Sequence, residues 1–434
     1  MEQDDNRQPS DKPGFFASLA YPDYRRLWIA TATSQSAAWA LIVLRGALVY
    51  RMTESNAWVG FATMAALLPS LVVTPLSGLL ADRFDRRRVL AVTYALNLGH
   101  TMLLAFLLFN GDSDGYLINE YHILVLAVFN GCIRATELPT NQALLPNLVP
   151  RERLLNAVAL SQFMQQGSRM MGPLLTLPVI RFADPEPAFF MPAALYALGW
   201  YQVATIGTVS RGIIDVGRGA VFNLVAGVRY IYTHPLLLYL VGLTVLHCAL
   251  TMAFESVFPF FSRTELKMLS ERGVFEGPTY LMIAVGSGSM IGNLSLARVQ
   301  DAGIRGKLFL GFGLLSGAAP MMLSFTFSVP TAMAAAAFMG ATTAGFMTLS
   351  HGMVQFITPD GLRGRVMSAN TWHAQGAMGG FNAVNGILMD LSWMTARFLL
   401  SGTGLIFIWL MIGTFATAHL RTIYSRGVEA LAPA

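Results

Sequence analysis

The sequence is short of charge. Asp, Glu, Lys and Arg make up 12% of the 434 residues, while hydrophobic residues make up 54%. A soluble globular chain carries roughly twice that charged share. The shortage excludes an ordinary soluble chain, because the excess apolar surface needs a solvent and a bilayer is the natural one. Cysteine is almost missing. Cys132 and Cys248 both fall inside apolar stretches, which excludes a disulfide framework and argues against a metal site. The seven histidines show no metal-ligand spacing. No Walker sequence occurs, so the chain is not expected to hydrolyse ATP. The clustered His, Asp or Ser groups that a membrane enzyme needs at one face are absent too, so neither an enzyme nor a bound cofactor is expected. Residues Met1 to Arg26 are polar and mixed in charge, unlike a cleaved signal peptide.

What is there is a series of apolar segments, each near the 20 residues that span a bilayer. Twelve can be read: Leu27–Val49, Ala57–Leu80, Val89–Phe109, His122–Ala143, Asn156–Ile180 and Ala188–Val209, then Leu236–Phe261, Pro278–Val299, Leu308–Ser328, Thr331–Gln355, Met367–Leu391 and Ala396–Leu420. The expected organisation is an all-α integral membrane protein: a tail over 1–26, a six-helix bundle over 27–209, a central loop over 210–235, a second six-helix bundle over 236–420 and a tail over 421–434. The central stretch is the more polar one, with Arg211, Asp215, Arg218 and Arg229.

Lysine and arginine set the orientation. With the N-terminus inside, twenty of the 29 fall on the inner face, six on the outer face (Arg51, Arg181, Arg263, Lys267, Arg272 and Arg397) and three within helices. Both termini are therefore expected in the cytoplasm. The net charge of +5 belongs to these loops, and no nucleic-acid partner is expected. The halves repeat weakly. Arg153-Leu-Leu-Asn-Ala157 matches Arg365-Val-Met-Ser-Ala369 at an offset of 212, and Leu80-Ala81 matches Leu296-Ala297 at 216. Such a duplication places a binding site between the halves, near the midplane.

The strongest local signal is Gly78-Leu-Leu-Ala-Asp82-Arg83-Phe-Asp85-Arg86-Arg87-Arg88, between the second and third segments. A positive-inside anchor explains its arginines but not the aspartate before them. The pattern resembles the signature of the major facilitator superfamily. That resemblance implies two six-helix bundles related by a pseudo-two-fold axis. It also implies a cytoplasmic gate in which Gly78, Asp82, Arg83, Arg86 and Arg87 pair with a neighbouring helix end of the partner half. The family's usual glycine after Phe84 is Asp85 here. Tyr24-Arg25-Arg26-Leu27-Trp28, Pro139-Thr-Asn-Gln-Ala143 and Leu362-Arg363-Gly364-Arg365-Val366-Met367 resemble the branch that includes bacterial enterobactin exporters. Members of that branch export siderophores, drugs and other small molecules, usually on the proton gradient. Gly167, Gly172 and Pro173 resemble a helix-bending motif of superfamily antiporters, although Thr176-Leu177 stands where a glycine pair is usual.

The expectation is thus a proton-coupled exporter of a small molecule, working by alternating access as a monomer in a bacterial inner membrane. The alternatives are an importer or facilitator and, less in keeping with the missing soluble domain, a non-transporting sensor. Gly286-Ser-Gly288-Ser-Met-Ile-Gly292 lies in an apolar segment and reads as helix packing.

Charges inside apolar segments are expensive and usually face a cavity. They are Arg45, Arg134, Glu137, Arg169 and Glu255. Arg134 and Glu137 are three apart and share a helix face. The acid that many drug antiporters of the superfamily carry in the first helix is absent, which leaves Glu137 or Glu255 for proton coupling. Arg45 and Glu255 each lie about seven residues beyond the centre of their helix, roughly 10 Å outward. They are offset by 210, so an outer gate made by that pair is expected.

Overall fold

The computed structural model describes residues 16–110, 117–210, 220–296, 299 and 301–426, and every regular element among them is helical. The first half holds α1 (Pro22–Thr53), α2 (Asn56–Leu67) continued by α3 (Pro69–Arg83), α4 (Arg86–Phe109), α5 (Glu120–Leu144), α6 (Leu154–Phe182) and α7 (Phe190–Ala204). A short surface helix, α8 (Ala220–Thr233), leads into the second half. There α9 (Pro235–Leu250) and α10 (Phe258–Thr264) are followed by α11 (Glu271–Leu296), α12 (Ala302–Ser324), α13 (Val329–Ile357), α14 (Asp360–Met389), α15 (Ala396–Gly413) and a final α16 (Ala418–Arg426).

Among the described residues, seven spans are individually long and apolar enough to cross a membrane, or eight when the bent pair α8–α9 is counted as one. Counting α2–α3 and α9–α10 as one column each gives six columns per half, as the twelve apolar segments predict. Large apolar side chains stand exposed on the outside, among them Phe106 on α4 and Phe398 and Trp409 on α15. Such a surface needs lipid or a partner against it.

Local chemistry sets several ends. Pro22 opens α1, and its last turn closes on Glu54, which is left-handed at φ 51°. Asp85 caps α4 by accepting from Arg87 N, so the departure from the family's glycine has a structural use. Asn119 and His122 form a capping box on α5. His234 is extended before Pro235, as a residue before proline prefers, and the chain turns by 107° there.

Three expectations need correction. The stretch 210–235 is not all loop, since α8 fills 220–233. The seventh segment is not one helix, because the chain leaves helical geometry over 251–257. Asn385 of α14 donates to Ala253 O at 2.7 Å and Asn382 accepts from Ser256 N at 3.0 Å. These side chains supply partners that an interrupted helix lacks, as apolar surroundings require. The tail from 421 begins inside α16, where Tyr424 Oη meets Thr414 Oγ1 at 2.7 Å.

The halves meet mainly through α2 on α14 and α6 on α11, with α1 also touching α11. Within the first half α6 crosses α1 at Gly172, where any Cβ would overlap the Ser36 carbonyl. Gly286 faces the α6 backbone at Arg169 and Met170, while Gly288 and Gly292 face α13 at Ala337 and Ala341. The glycine run thus serves packing. Gly172→Val should separate α1 from α6, and a core overlap of this kind costs about 1–3 kcal/mol or more. The expected result is a several-fold loss of folded protein in detergent, measured by size-exclusion chromatography. A wild-type yield and melting temperature would contradict the close crossing.

Candidate functional site

The end of the bundle that carries Phe16 and Arg426 is here the termini end, and its opposite the far end. The signature loop between α3 and α4 lies at the termini end. Arg83 is exposed. Arg86 donates to Ala143 O at 2.9 Å, at the end of α5, and Arg87 donates to Ile206 O at 2.6 Å, just past α7. Guanidinium groups at helix C-terminal carbonyls are favoured by the dipole. These arginines bind helix ends of their own half. Gly78 and Asp82 lie on α3, and their surroundings fall outside the described residues.

Deeper in the first half, polar groups from α1, α4, α5 and α7 converge. Glu137 is 2% exposed and accepts from Ser34 Oγ, while its Oε2 is buried without a hydrogen-bond partner. Arg134, Tyr94 and Tyr196 are its electrostatic neighbours. The Tyr94 hydroxyl approaches Glu137 outside hydrogen-bond geometry. Asn130 donates to Asn97 Oδ1 at 2.9 Å. Arg45 belongs to this cluster, beside Arg134, Tyr196 and His100. Two residues on, Pro139 leaves α5 one backbone hydrogen bond short. Sequence reading found the two arginines and the glutamate. It missed Ser34, Tyr94, Asn97, His100, Asn130 and Tyr196, which look in the sequence like ordinary polar residues of apolar helices.

A second charge cluster bridges the halves. The Arg169 guanidinium of α6 lies over the Trp39 ring at 4.4 Å to the centroid. Its electrostatic neighbour is Glu255, which stands in the break between α9 and α10. Glu255 Oε2 accepts from Asn382 Nδ2 at 3.0 Å. The expected Arg45–Glu255 pair is not formed in this conformation: each residue has neighbours of its own, and the cation facing Glu255 is Arg169. The physical reason is rotational. Equal depth does not place two residues on facing sides of their helices, and Arg45 points into its own half. Gly167 faces Met290 of α11 at 3.6 Å from a Cβ position, and Pro173 sits within an unbroken α6.

The halves also touch at the far end. Arg263 pairs with Glu54 at 2.9 Å and Arg272 with Asp184 at 3.7 Å, both between halves. Asp390, at the end of α14, caps α2 across the interface, accepting from Asn56 N at 2.7 Å and Ala57 N at 3.1 Å. A carboxylate on a helix N-terminus is favoured by both hydrogen bonding and the dipole.

A family model described as transmembrane secretion effector matches residues 14–428. Among curated proteins, an uncharacterised transporter of the major facilitator type from Bacillus subtilis, YfiS, is 27% identical over 135 residues, 31% of this chain and 30% of that protein. A staphyloferrin A transporter from Staphylococcus aureus is 26% identical over 145 residues, 33% of this chain and 36% of that one. The matches thus span about a third of the length of these relatives. Among solved structures, the D-xylose-proton symporter aligns at a TM-score of 0.71 with 13% identity, covering 90% of this chain and 97% of that one. The nucleoside transporter NupG aligns at 0.69 with 13% identity, covering 91% and 98%. At such identity the likeness is one of fold.

Proposed function

The chain belongs to the transmembrane secretion effector family of the major facilitator superfamily, and from that premise we propose that it is a proton-coupled exporter of a small molecule. It is a multi-pass membrane transporter. Export is supported by the secretion-effector match over 14–428, and that observation carries the direction. Proton coupling is supported by Glu137, a buried carboxyl with one unpartnered oxygen among polar groups. The membrane is the bacterial cytoplasmic one, in keeping with bacterial relatives. The termini end is cytoplasmic, in keeping with twenty lysines and arginines against six. One chain acts as the transporting unit.

In this arrangement the far end faces outward and is shut, so substrate enters from the cytoplasm. Release outward requires the Glu54–Arg263 and Asp390–α2 contacts to part while the termini end closes. A proton arriving from outside then reaches Glu137, and its delivery to the cytoplasm resets the cycle. Asp82, on the helix before the basic loop, would hold the termini end when it closes.

Inverted membrane vesicles test both points. With an acidified lumen they should accumulate at least one member of a panel of labelled drugs, metabolites and siderophores, and a protonophore should abolish it. Asp82→Asn should lower that accumulation by about tenfold, as loss of a charged contact worth about 1.4 kcal/mol would, with membrane abundance unchanged. Gradient-driven accumulation seen only in right-side-out vesicles would replace export with import.

A further inference from the structure

The cluster in the first half holds more positive charge than it balances. Arg45 is 3% exposed, and its Nη1 is buried with no hydrogen-bond partner. Its charged electrostatic neighbour is another cation, Arg134. The carboxylate of the cluster, Glu137, faces Arg134 and already accepts from Ser34. Two arginines therefore stand against one carboxylate, and one positive charge is left over even with Glu137 ionised. Hydrogen-bond donors are left over as well. The Tyr196 hydroxyl, an electrostatic neighbour of Arg45, and Asn97 Nδ2 are buried without hydrogen-bond partners. They come from α4 and α7. A polar group this deep is hydrogen-bonded in nearly every protein, and an unpaired buried cation is more costly still. Water can satisfy the donors, but it cannot cancel the charge.

We propose that Arg45, with the Tyr196 hydroxyl beside it, is an anion site, and that the transported molecule enters it through a carboxylate. This rests on the transporter function proposed above and adds a substrate class to it. A planar guanidinium with a further donor beside it suits a group with two oxygens. A resident inorganic anion such as chloride would meet the same charge with a single centre. The site also lies on a helix at the interface between the halves: α1 carries Arg45 and packs on α11 of the other half. An inside-negative membrane potential drives an anion outward, the direction proposed for this protein.

Thermal unfolding of the purified protein in detergent, followed by tryptophan fluorescence at constant ionic strength, tests the site. The probes are benzoate, succinate and citrate against chloride, each on wild type, R45Q and R45K. At least one carboxylate should raise the wild-type melting temperature by about 3 °C or more at saturation. R45Q should lose that shift while melting no lower than wild type without ligand, because it removes an unpaired buried charge. R45K, which keeps the charge but not the fork, should retain part of the shift. Three results would overturn the site: no shift with any carboxylate, an equal shift in R45Q, or a shift with chloride alone. If R45Q does not fold, R45K decides: loss of more than half the wild-type shift supports the site, and an undiminished shift overturns it. Binding separates this proposal from export. A carboxylate shift without vesicle transport leaves the site and removes the exporter, whereas transport of neutral or cationic compounds alone removes the site and leaves the exporter.

Discussion

Glu137→Gln should abolish gradient-driven accumulation while leaving substrate exchange across the membrane intact. Glutamine keeps the volume of the side chain and can still accept from Ser34, which meets the carboxylate from α1. It cannot take up or release a proton. The packing around position 137, with Tyr94, Tyr196 and Arg134 as neighbours, is therefore preserved while the titrating group is lost. A difference of one pH unit across the membrane is worth about 1.4 kcal/mol per proton and supports up to about tenfold accumulation per proton exchanged. In the variant that ratio should fall to about one. Counterflow, in which labelled substrate exchanges against unlabelled substrate with no proton gradient, should stay within about twofold of wild type. Proteoliposomes with an imposed pH difference measure both quantities on one preparation. Full accumulation in the variant would remove Glu137 as the coupling group and move attention to Glu255. Loss of both accumulation and counterflow would make Glu137 a structural residue instead.

Much of this architecture is written in local sequence. Apolar segments of span length mark the columns, and Asp85 and Asn119 are cap residues of the kind that open helices. The run Phe222, Leu224, Val225, Val228 marks α8, although the arginines of the stretch 210–235 draw the eye to a loop. Elsewhere the deciding partner is far away in the chain. Residues 251–257 read Thr-Met-Ala-Phe-Glu-Ser-Val, with no proline or glycine to signal a break. The break is stabilised by Asn382 and Asn385, more than 120 residues on. Asp390 looks like a loop aspartate until α2 is placed beneath it. Gly172 reads as a bend, yet its use is the contact with Ser36 on another helix. The same limit explains the misplaced gate. Depth along a helix follows from residue count, whereas the direction a side chain faces depends on how the helix is turned against its neighbours.

That distinction makes the charge pair between halves a matter for direct test. In this conformation Arg169 of α6 faces Glu255 of the interrupted seventh column, and Gly286 brings α11 onto the α6 backbone at Arg169 itself. Both charges are nearly buried, at 9% and 8% exposure. Arg169→Glu would set two carboxylates against each other, and Glu255→Arg two guanidiniums. Breaking a buried pair on one side leaves an uncompensated charge, typically a penalty of about 3–5 kcal/mol. Each single variant should therefore lower transport by tenfold or more. The double swap restores opposite charges across the interface and should recover most of that loss. It should not recover all of it. Arg169 also stacks on Trp39 at 4.4 Å, and Asn382 donates to Glu255. An arginine moved to 255 would lose the ring and face the Asn382 amide donor. Recovery to within about threefold of wild type, under 1 kcal/mol, fits a pair whose supporting contacts are worth a fraction of the pair itself. The Arg45→Glu, Glu255→Arg double variant is the control: it should show no recovery, because those two residues belong to different clusters. Recovery in the control and none in the Arg169 swap, with all proteins at equal membrane levels, would reverse the assignment and restore Arg45 as the partner of Glu255.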